Sequence, residues 1–313
     1  MNSHSKIVSI LKLLFVIISS SFSFYLKHFN KKKLKTALCV MAKREKNYIV
    51  EFVDYYKKLG VSKIVIYDNN DVDGERYNTI LEKYINDKFV EIFDYRGLFK
   101  PQANAYNECY TKNKYEFNWF VFYDIDEYLY FTNFTNINDF LSQPQFENCS
   151  SILINWKYYG DNDKLYYEPK PLKERFTKPY NFSERAKRDI LLYGAAKTIA
   201  RGGGNITWAH FPHFLNDSKM CNALGHFVEK PLSPPDHSVA YIKHYATKST
   251  EEYAEHLRRG GGCSKNQNSK GFMMSRIRSY YFLFNRVTKK KIEILEKALN
   301  IRIRRFYNKV EDD

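Results

Sequence analysis

The sequence predicts an α/β fold, a mostly parallel sheet flanked by helices, preceded by a hydrophobic N-terminal anchor helix. Three observations predict it. Short apolar runs of strand length alternate with runs of helical period between residues 36 and 123. Two polar turns, Asp68-Asn69-Asn70-Asp71 and Asp124-Ile125-Asp126-Glu127, follow the second and fourth strand-like runs. Residues 7–26 form an apolar stretch of roughly the 20 residues a helix needs to cross a bilayer.

The N-terminal stretch reads IVSILKLLFVIISSSFSFYL, interrupted by Lys12. No small-x-small cleavage site follows cleanly, so an uncleaved single-pass anchor is expected rather than a removed signal peptide. Lys27, Lys31, Lys32, Lys33 and Lys35 make a basic stem. Residues 1–35 are thus read as anchor and stem, and residues 36–313 as one catalytic domain. On the positive-inside rule the stem lysines hold the following chain on the cytoplasmic face of a membrane. Sequons at Asn133, Asn148, Asn181, Asn205 and Asn216 argue the reverse, since used sequons mark lumenal chains. The expectation is a lumenal domain in the Golgi or secretory pathway, with the cytoplasmic face as the alternative.

The alternating elements follow. Residues 36–41 (TALCVM) read as a first strand. Residues 45–59 carry Tyr48, Ile49, Phe52, Val53, Tyr56 and Leu59 at helical spacing, closed by Gly60. Residues 63–67 (KIVIY) are a second strand, 77–84 a helix, 90–93 a third strand and 102–112 a helix. Residues 119–123 (WFVFY) are a fourth, aromatic strand. Later the pattern loosens. A strand is expected near 151–156, loops at the Gly202 and Gly260 glycine triplets, and a helix over 248–259. Ser249 and Glu252 there make a capping box. A basic helix is expected over 289–306.

Composition narrows the class. Of 313 residues, 44% are hydrophobic and 17% aromatic, ample material for a packed core. The net charge of +15 is spread along the chain, and no zinc finger, RNA-recognition signature or basic zipper accompanies it, so no nucleic-acid partner is expected. Five cysteines lack any CxxC spacing, which argues against structural zinc. Cys39 and Cys109 read as buried small hydrophobes. Cys149, Cys221 and Cys263 are left with material for one disulfide, of unreadable pairing.

Ligands of open α/β sheets bind beyond the carboxyl ends of the strands, where both acidic turns fall. In an extended segment residues i and i+2 point the same way, so Asp124 and Asp126 present two carboxylates together. A divalent ion held by one or two carboxylates and by diphosphate oxygens would neutralise a leaving diphosphate. An acidic triplet by itself is often only a strand-ending turn; its place after a buried aromatic strand, fourth in an α/β series, favours the metal reading.

Four blocks in order, ALCVMAKREKNYIVEFVDYYKKLGVSKIVIYDNND, FVEIFDYRG, KPQANAYNECY and WFVFYDIDEYL, resemble the family 92 glycosyltransferases and are similar to family 2-like sets. The resemblance runs from about Thr36 to about Arg259. It implies a GT-A fold with a Rossmann-like nucleotide-binding half, a nucleotide-sugar donor (a UDP-sugar foremost), Mn2+ or Mg2+, and transfer with inversion to a glycan or glycoconjugate acceptor. Carried over by position, it makes Asp124 and Asp126 the metal motif. Ala42, Lys43 and Glu45 lie along the nucleotide, and Asp68 and Asn69 near the base or ribose. Gln102 and Tyr106 belong to the block before the metal strand. His244 and Lys248, in KHYATKS, match a late block, as a third metal ligand and a diphosphate contact; His244 reads equally as a hydrogen-bonded structural histidine.

An inverting transferase needs a carboxylate to take the acceptor proton. Asp161, Asp163, Glu174 and Asp189 lie in the acceptor half, and Glu174 is the choice, with a structural ion pair to a neighbouring arginine as its alternative. His210 and His213 have metal-compatible spacing, and Trp156, Tyr158 and Tyr159 suggest sugar platforms. Two other functions compete: an inactive membrane-anchored glycan-binding protein on a transferase fold, and a metal-dependent phosphotransferase or nucleotidyltransferase. The latter lacks a Walker A loop.

Overall fold

The computed structural model describes residues 34–99, 101–183, 194–205, 219–229, 234–260 and 269–303. The anchor expected over residues 7–26, the basic stem up to Lys33, Asp189, His210, His213, Asn216 and Cys263 lie outside them. No described helix is long and apolar enough to cross a membrane.

The first half follows the expected alternation: β1 (Thr36–Ala42), α1 (Ile49–Lys58), β2 (Lys63–Asp68), α2 (Tyr77–Ile80), α3 (Glu82–Asn86), β3 (Val90–Asp94), α4 (Gln102–Asn113) and β4 (Trp119–Phe122). The helix expected over 77–84 is two short ones broken at Leu81. α1 ends in a Schellman turn, with Gly60 N–H donating to Lys57 O and Val61 N–H to Tyr56 O. Gly60 stands at φ +92°, and a Cβ there would lie 2.2 Å from Asn136 Nδ2. Only glycine fits.

β5 (Glu127–Phe131), α5 (Ile137–Leu141), β6 (Ser151–Tyr158), α6 (Leu172–Arg175), β7 (Ala196–Arg201), β8 (Met220–Asn222) and β9 (Ala240–His244) follow. Next come α7 (Thr250–Arg259), α8 (Lys270–Arg276), α9 (Phe282–Phe284) and α10 (Lys289–Leu299). The described strands form one curled path, β3-β2-β1-β4-β7-β6-β9-β5, with β8 beside β6. Strands β3, β2, β1 and β4 run parallel. From β7 onward the sheet is mixed: β4–β7, β7–β6 and β9–β5 are antiparallel, and β6–β9 and β6–β8 parallel. The mostly parallel expectation therefore holds for the first half only. β6 serves two neighbourhoods, pairing with β7 and β8 through Ser151–Asn155 and with β9 through Trp156–Tyr158.

Two packed regions support the sheet. Under β1, β2 and β4, Tyr106, Cys109 and Tyr110 of α4 pack on Cys39, Tyr67, Phe120 and Phe122. Tyr158 at the end of β6 packs with Tyr253 and Leu257 of α7, Tyr281, Phe284 and Ile292. Cys39 and Cys109 are buried as expected, but they are bonded to each other, and Cys149 is bonded to Cys221. The strand–helix spacing that buries Cys39 against Cys109 also brings their Cα atoms to 6.3 Å, within disulfide reach. The capping box of α7 forms as expected, Ser249 and Glu252 each accepting from the other's backbone N–H. The helix expected over 289–306 ends at Leu299, where Asn300 takes the left-handed conformation.

Candidate functional site

β1, β2 and β4 deliver their following loops to one edge of the sheet, as a parallel register requires. The acidic turn follows β4, whose four side chains are all buried, and that anchorage holds the turn still. Asp124 N–H donates to Glu127 Oε2 at 2.9 Å. Asp124 Oδ1 accepts from Gln102 Nε2 at 3.3 Å and Tyr106 O–H at 3.4 Å. Gln102 and Tyr106 stand one turn apart on α4 and share the face that meets the sheet. The block before β4 thus touches the acidic turn directly.

A residue that sequence reading did not single out completes this corner. Lys197 of β7 is fully buried, with Nζ 2.7 Å from Asp124 Oδ2 and 3.3 Å from Glu127 Oε2. Burial opposes its charge, but the attraction of Asp124 and then Glu127 outweighs it and holds the ammonium above the ordinary lysine value. Burial pushes the Glu127 carboxyl well above the usual range, only partly offset by Lys197. Asp124, nearer and more exposed, is therefore the principal counter-charge. The signal was present in the sequence: a lone lysine inside the apolar run AAKTIA, where an unpaired charge is not tolerated.

On the other side of the turn, Asp126 Oδ1 faces His244 Nε2 at 3.9 Å. The register of β5 and β9 sets this, since His244 lies opposite Glu127. Burial lowers the His244 pKa to about 4, against the opposing pull of Asp126, so the imidazole is neutral at neutral pH. Its ring lies 4.3 Å from that of Trp156, and Nδ1 is buried with no hydrogen-bond partner among the described residues. The 3.9 Å gap is too wide for a hydrogen bond and close to the width of one divalent ion with two ligands at about 2.1 Å each. Among the described residues no three His, Cys, Asp or Glu side chains form a complete cage. Two such side chains could hold a divalent ion only together with ligand oxygens or water in the remaining positions, a donor set that suits Mg2+ or Mn2+.

The loop after β1 adds a mixed-charge cluster. Glu45 pairs with Arg259 of α7 and lies 3.9 Å from Lys248 Nζ. Arg259 also donates to Lys43 O at 2.6 Å, and Tyr77 O–H accepts from Glu45 N–H at 2.9 Å. Lys248 adopts φ +49° just before the cap of α7 and lies 4.3 Å above the Tyr48 ring. Arg259 was read only as a helix-terminal residue. Lys43 and Arg44 both pair with Asp71, which closes the β1 and β2 loops together. Ala42 contributes its carbonyl to Asn69 N–H. Asp68 accepts from the backbone and side chain of Asn70, and Asn69 donates to Tyr95 O and Leu98 O. Burial raises the Asp68 carboxyl despite the Asn70 bonds.

Other expected residues have different surroundings. Glu174 is exposed on the short α6, which Glu51 caps by accepting from Leu172 N–H. The arginine pair anticipated for Glu174 is made by its neighbour: Arg175 forks onto Glu252 in the interior. Asp161 and Asp163 accept from the buried Lys291, and Asp161 also from Tyr281 O–H. Tyr158 and Tyr159 are not sugar platforms, because the end of β6 is packed against Phe284 and Tyr245. Trp156 is half-buried beside His244.

Comparison with known proteins bears on this arrangement. The chain is 29% identical over 119 residues to a glycosyltransferase family 92 protein of Oryza sativa subsp. japonica, covering 37% of this chain and 20% of that one. It is 31% identical over 132 residues to one of Arabidopsis thaliana, covering 41% and 22%. A longer match, 21% identical over 226 residues, covers 72% of this chain and 37% of a Ricinus communis family 92 protein. The chain thus spans well under half the length of these relatives. Among solved structures it is similar to S. aureus TarS 1-349 in complex with UDP, with a TM-score of 0.41, 14% identity, and 85% and 71% coverage. It is also similar to the mannosyltransferase PcManGT from Pyrobaculum calidifontis in complex with GDP-Man and Mn2+, with a TM-score of 0.36, 10% identity, and 86% and 74% coverage. The model of glycosyltransferase family 92 matches residues 34–281, most of the chain, and the chain belongs to that family.

Proposed function

We propose that this chain is a divalent-metal-dependent glycosyltransferase of GT-A type that moves a sugar from a nucleotide-sugar donor to a glycan or glycoconjugate acceptor with inversion. The observation that carries the reading is the pairing of Asp126 with a neutral His244 at the sheet edge, beside Asp124 and the charged loop of Lys43, Glu45, Lys248 and Arg259. Family membership and this geometry support it together. An inactive glycan-binding protein would have no use for that pair.

Asp126 and His244 would hold Mn2+ or Mg2+, while Asp124 beside them is engaged by Gln102, Tyr106 and Lys197. When bound, the ion supplies positive charge to the leaving diphosphate. The chain's own residues do the remainder. Gln102, Tyr106 and Lys197 fix Asp124, and Trp156 and the strand register fix His244. Lys248 and Arg259, gathered around Glu45, present positive charge for the donor diphosphate. Ala42, Asp68 and Asn69 form the nucleotide side, where Asn69 and Asn70 stiffen the turn. Glu174 is proposed to take the acceptor proton.

The placement proposed is a lumenal domain on an N-terminal anchor. Two disulfides among the described residues suit an oxidising compartment, and the sequon residues Asn133, Asn148, Asn181 and Asn205 are exposed. The test is thermal unfolding of the purified protein with UDP- and GDP-sugars, with and without Mn2+, alongside release of the nucleoside diphosphate. Stabilisation by one donor that requires Mn2+, with release in the presence of acceptor glycan, is expected. No stabilisation by any nucleotide sugar would overturn the reading.

A further inference from the structure

We propose that Lys197 is a positioning residue that divides the work of the two aspartates: it keeps Asp124 as its own counter-ion and so leaves Asp126, with His244, to receive the divalent ion. This rests on the metal-dependent reading above.

The register that pairs Val121 of β4 with Ile199 of β7 carries β7 past the end of β4, so Lys197 arrives beside the acidic turn. Its ammonium has no exposure to water, and the strand holds its backbone. It is built into the site as a fixed charge. Both carboxylate oxygens of Asp124 are engaged, Oδ2 by Lys197 and Oδ1 by Gln102 and Tyr106. Asp126 Oδ1 instead faces a neutral imidazole. A cation approaching Asp124 meets a like charge 2.7 Å from the oxygen it would bind. A cation between Asp126 and His244 feels Lys197 and Lys248 through space, but among the described ion pairs the Lys197 ammonium touches Asp124 and Glu127 and not Asp126. The lysine also lowers the negative charge of a turn with three carboxylates in four residues, so the ion is held loosely enough to exchange. Without Lys197, Asp124 would become a third ligand and the ion would bind too tightly.

The experiment measures Mn2+ binding to the full chain without donor, by the electron paramagnetic resonance signal of free Mn2+. The proteins are wild type, Asp124→Asn, Asp126→Asn, Lys197→Met and the Lys197→Met/Asp124→Asn double variant. Asp126→Asn is expected to lose binding, and Asp124→Asn to stay within threefold of wild type. Lys197→Met should bind at least tenfold more tightly, and Asp124→Asn should cancel that gain only in the Lys197→Met background. If Lys197→Met does not fold, Lys197→Met/Glu127→Gln, which also removes the buried partner carboxylate, replaces it with the same expectation. Unchanged affinity without the lysine, or loss of binding in Asp124→Asn alone, would overturn the inference and leave the metal reading standing. A wild type that binds no Mn2+ while the lysine variant does would overturn the metal reading for the natural chain and support the lysine's role. No binding by any variant would overturn both.

Discussion

His244 Nε2 and Asp126 Oδ1 face each other across 3.9 Å, and one antiparallel ladder sets that distance, because His244 lies opposite Glu127 in the β5–β9 register. Two residues far apart in the sequence are thus brought face to face, as the proposed metal grip requires. Burial keeps the imidazole neutral and so ready to donate its lone pair.

Asp126→Asn is expected to abolish sugar transfer, by at least about a thousandfold, while the melting temperature stays within a few degrees of wild type. Transfer assays and melting curves on the same preparation check it. Normal transfer by a folded variant would remove Asp126 from the metal role.

His244→Asn should raise the Mn2+ concentration for half-maximal activity by tenfold or more. A ligand position predicts that shift. A purely structural position predicts a lower melting temperature with an unchanged metal requirement. Since among the described residues Nδ1 has no hydrogen-bond partner and Nε2 meets Asp126 only at 3.9 Å, the metal-free variant should lose little beyond its ring contact with Trp156.

The same residue gives the metal-free protein a pH dependence. Folded His244 takes up its proton only near pH 4, against 6.5 when unfolded, so between those values the unfolded state binds more protons. Its contribution is complete above about pH 6.5 and is lost as pH falls to about 4, roughly 3 kcal/mol in all. Urea unfolding at pH 7 and pH 4.5 should therefore cost the wild type about 2–3 kcal/mol more than His244→Asn. Equal losses would place the imidazole in a solvated setting.

Replacing Cys39 and Cys109 by alanine should lower unfolding free energy by about 4 kcal/mol on the chain-entropy model for a sequence separation of 70 residues. The consequence extends to the site, because Cys109 shares α4 with Gln102 and Tyr106, which hold Asp124. Denaturant melts of the oxidised protein and the variant check it; a difference below about 1 kcal/mol would show that packing alone holds α4.

Glu174→Gln should reduce kcat by at least about a hundredfold and leave donor affinity unchanged, as loss of a general base does. Unchanged kcat would end its proposed role and turn attention to the other carboxylates of that half.

The parallel half was legible because buried strands read as short apolar runs and α1 carries a clean helical period closed by Gly60. Ser249 and Glu252 announced the start of α7 correctly. β5, β7, β8 and β9 did not announce themselves. β5 begins inside the acidic motif, β8 has three residues, and β9 mixes Lys243 and His244 with Tyr241. In the site, Gln102 and Tyr106 meet Asp124 and His244 faces Asp126, so the fold gathers these residues around one turn while their roles stand as proposed. Lys197 and Arg259 were missed, because a cation's value depends on which distant carboxylate it meets, and only the fold supplies that. The disulfide of Cys39 was missed for a related reason: an apolar strand hides a thiol equally well whether or not another faces it.

Along β9, Ile242 and His244 are buried while Tyr241 and Lys243 are only half-buried. Sliding β9 by one residue against β5 would turn its buried side outward and offer Lys243 to the acidic turn in place of His244. An electron-pair donor would be replaced by an ammonium, and the attraction proposed here for a cation would become a repulsion. Strand alignment here therefore behaves as a proofreading device: a misthreaded chain cannot be a weak version of this site, because its chemistry has the opposite sign.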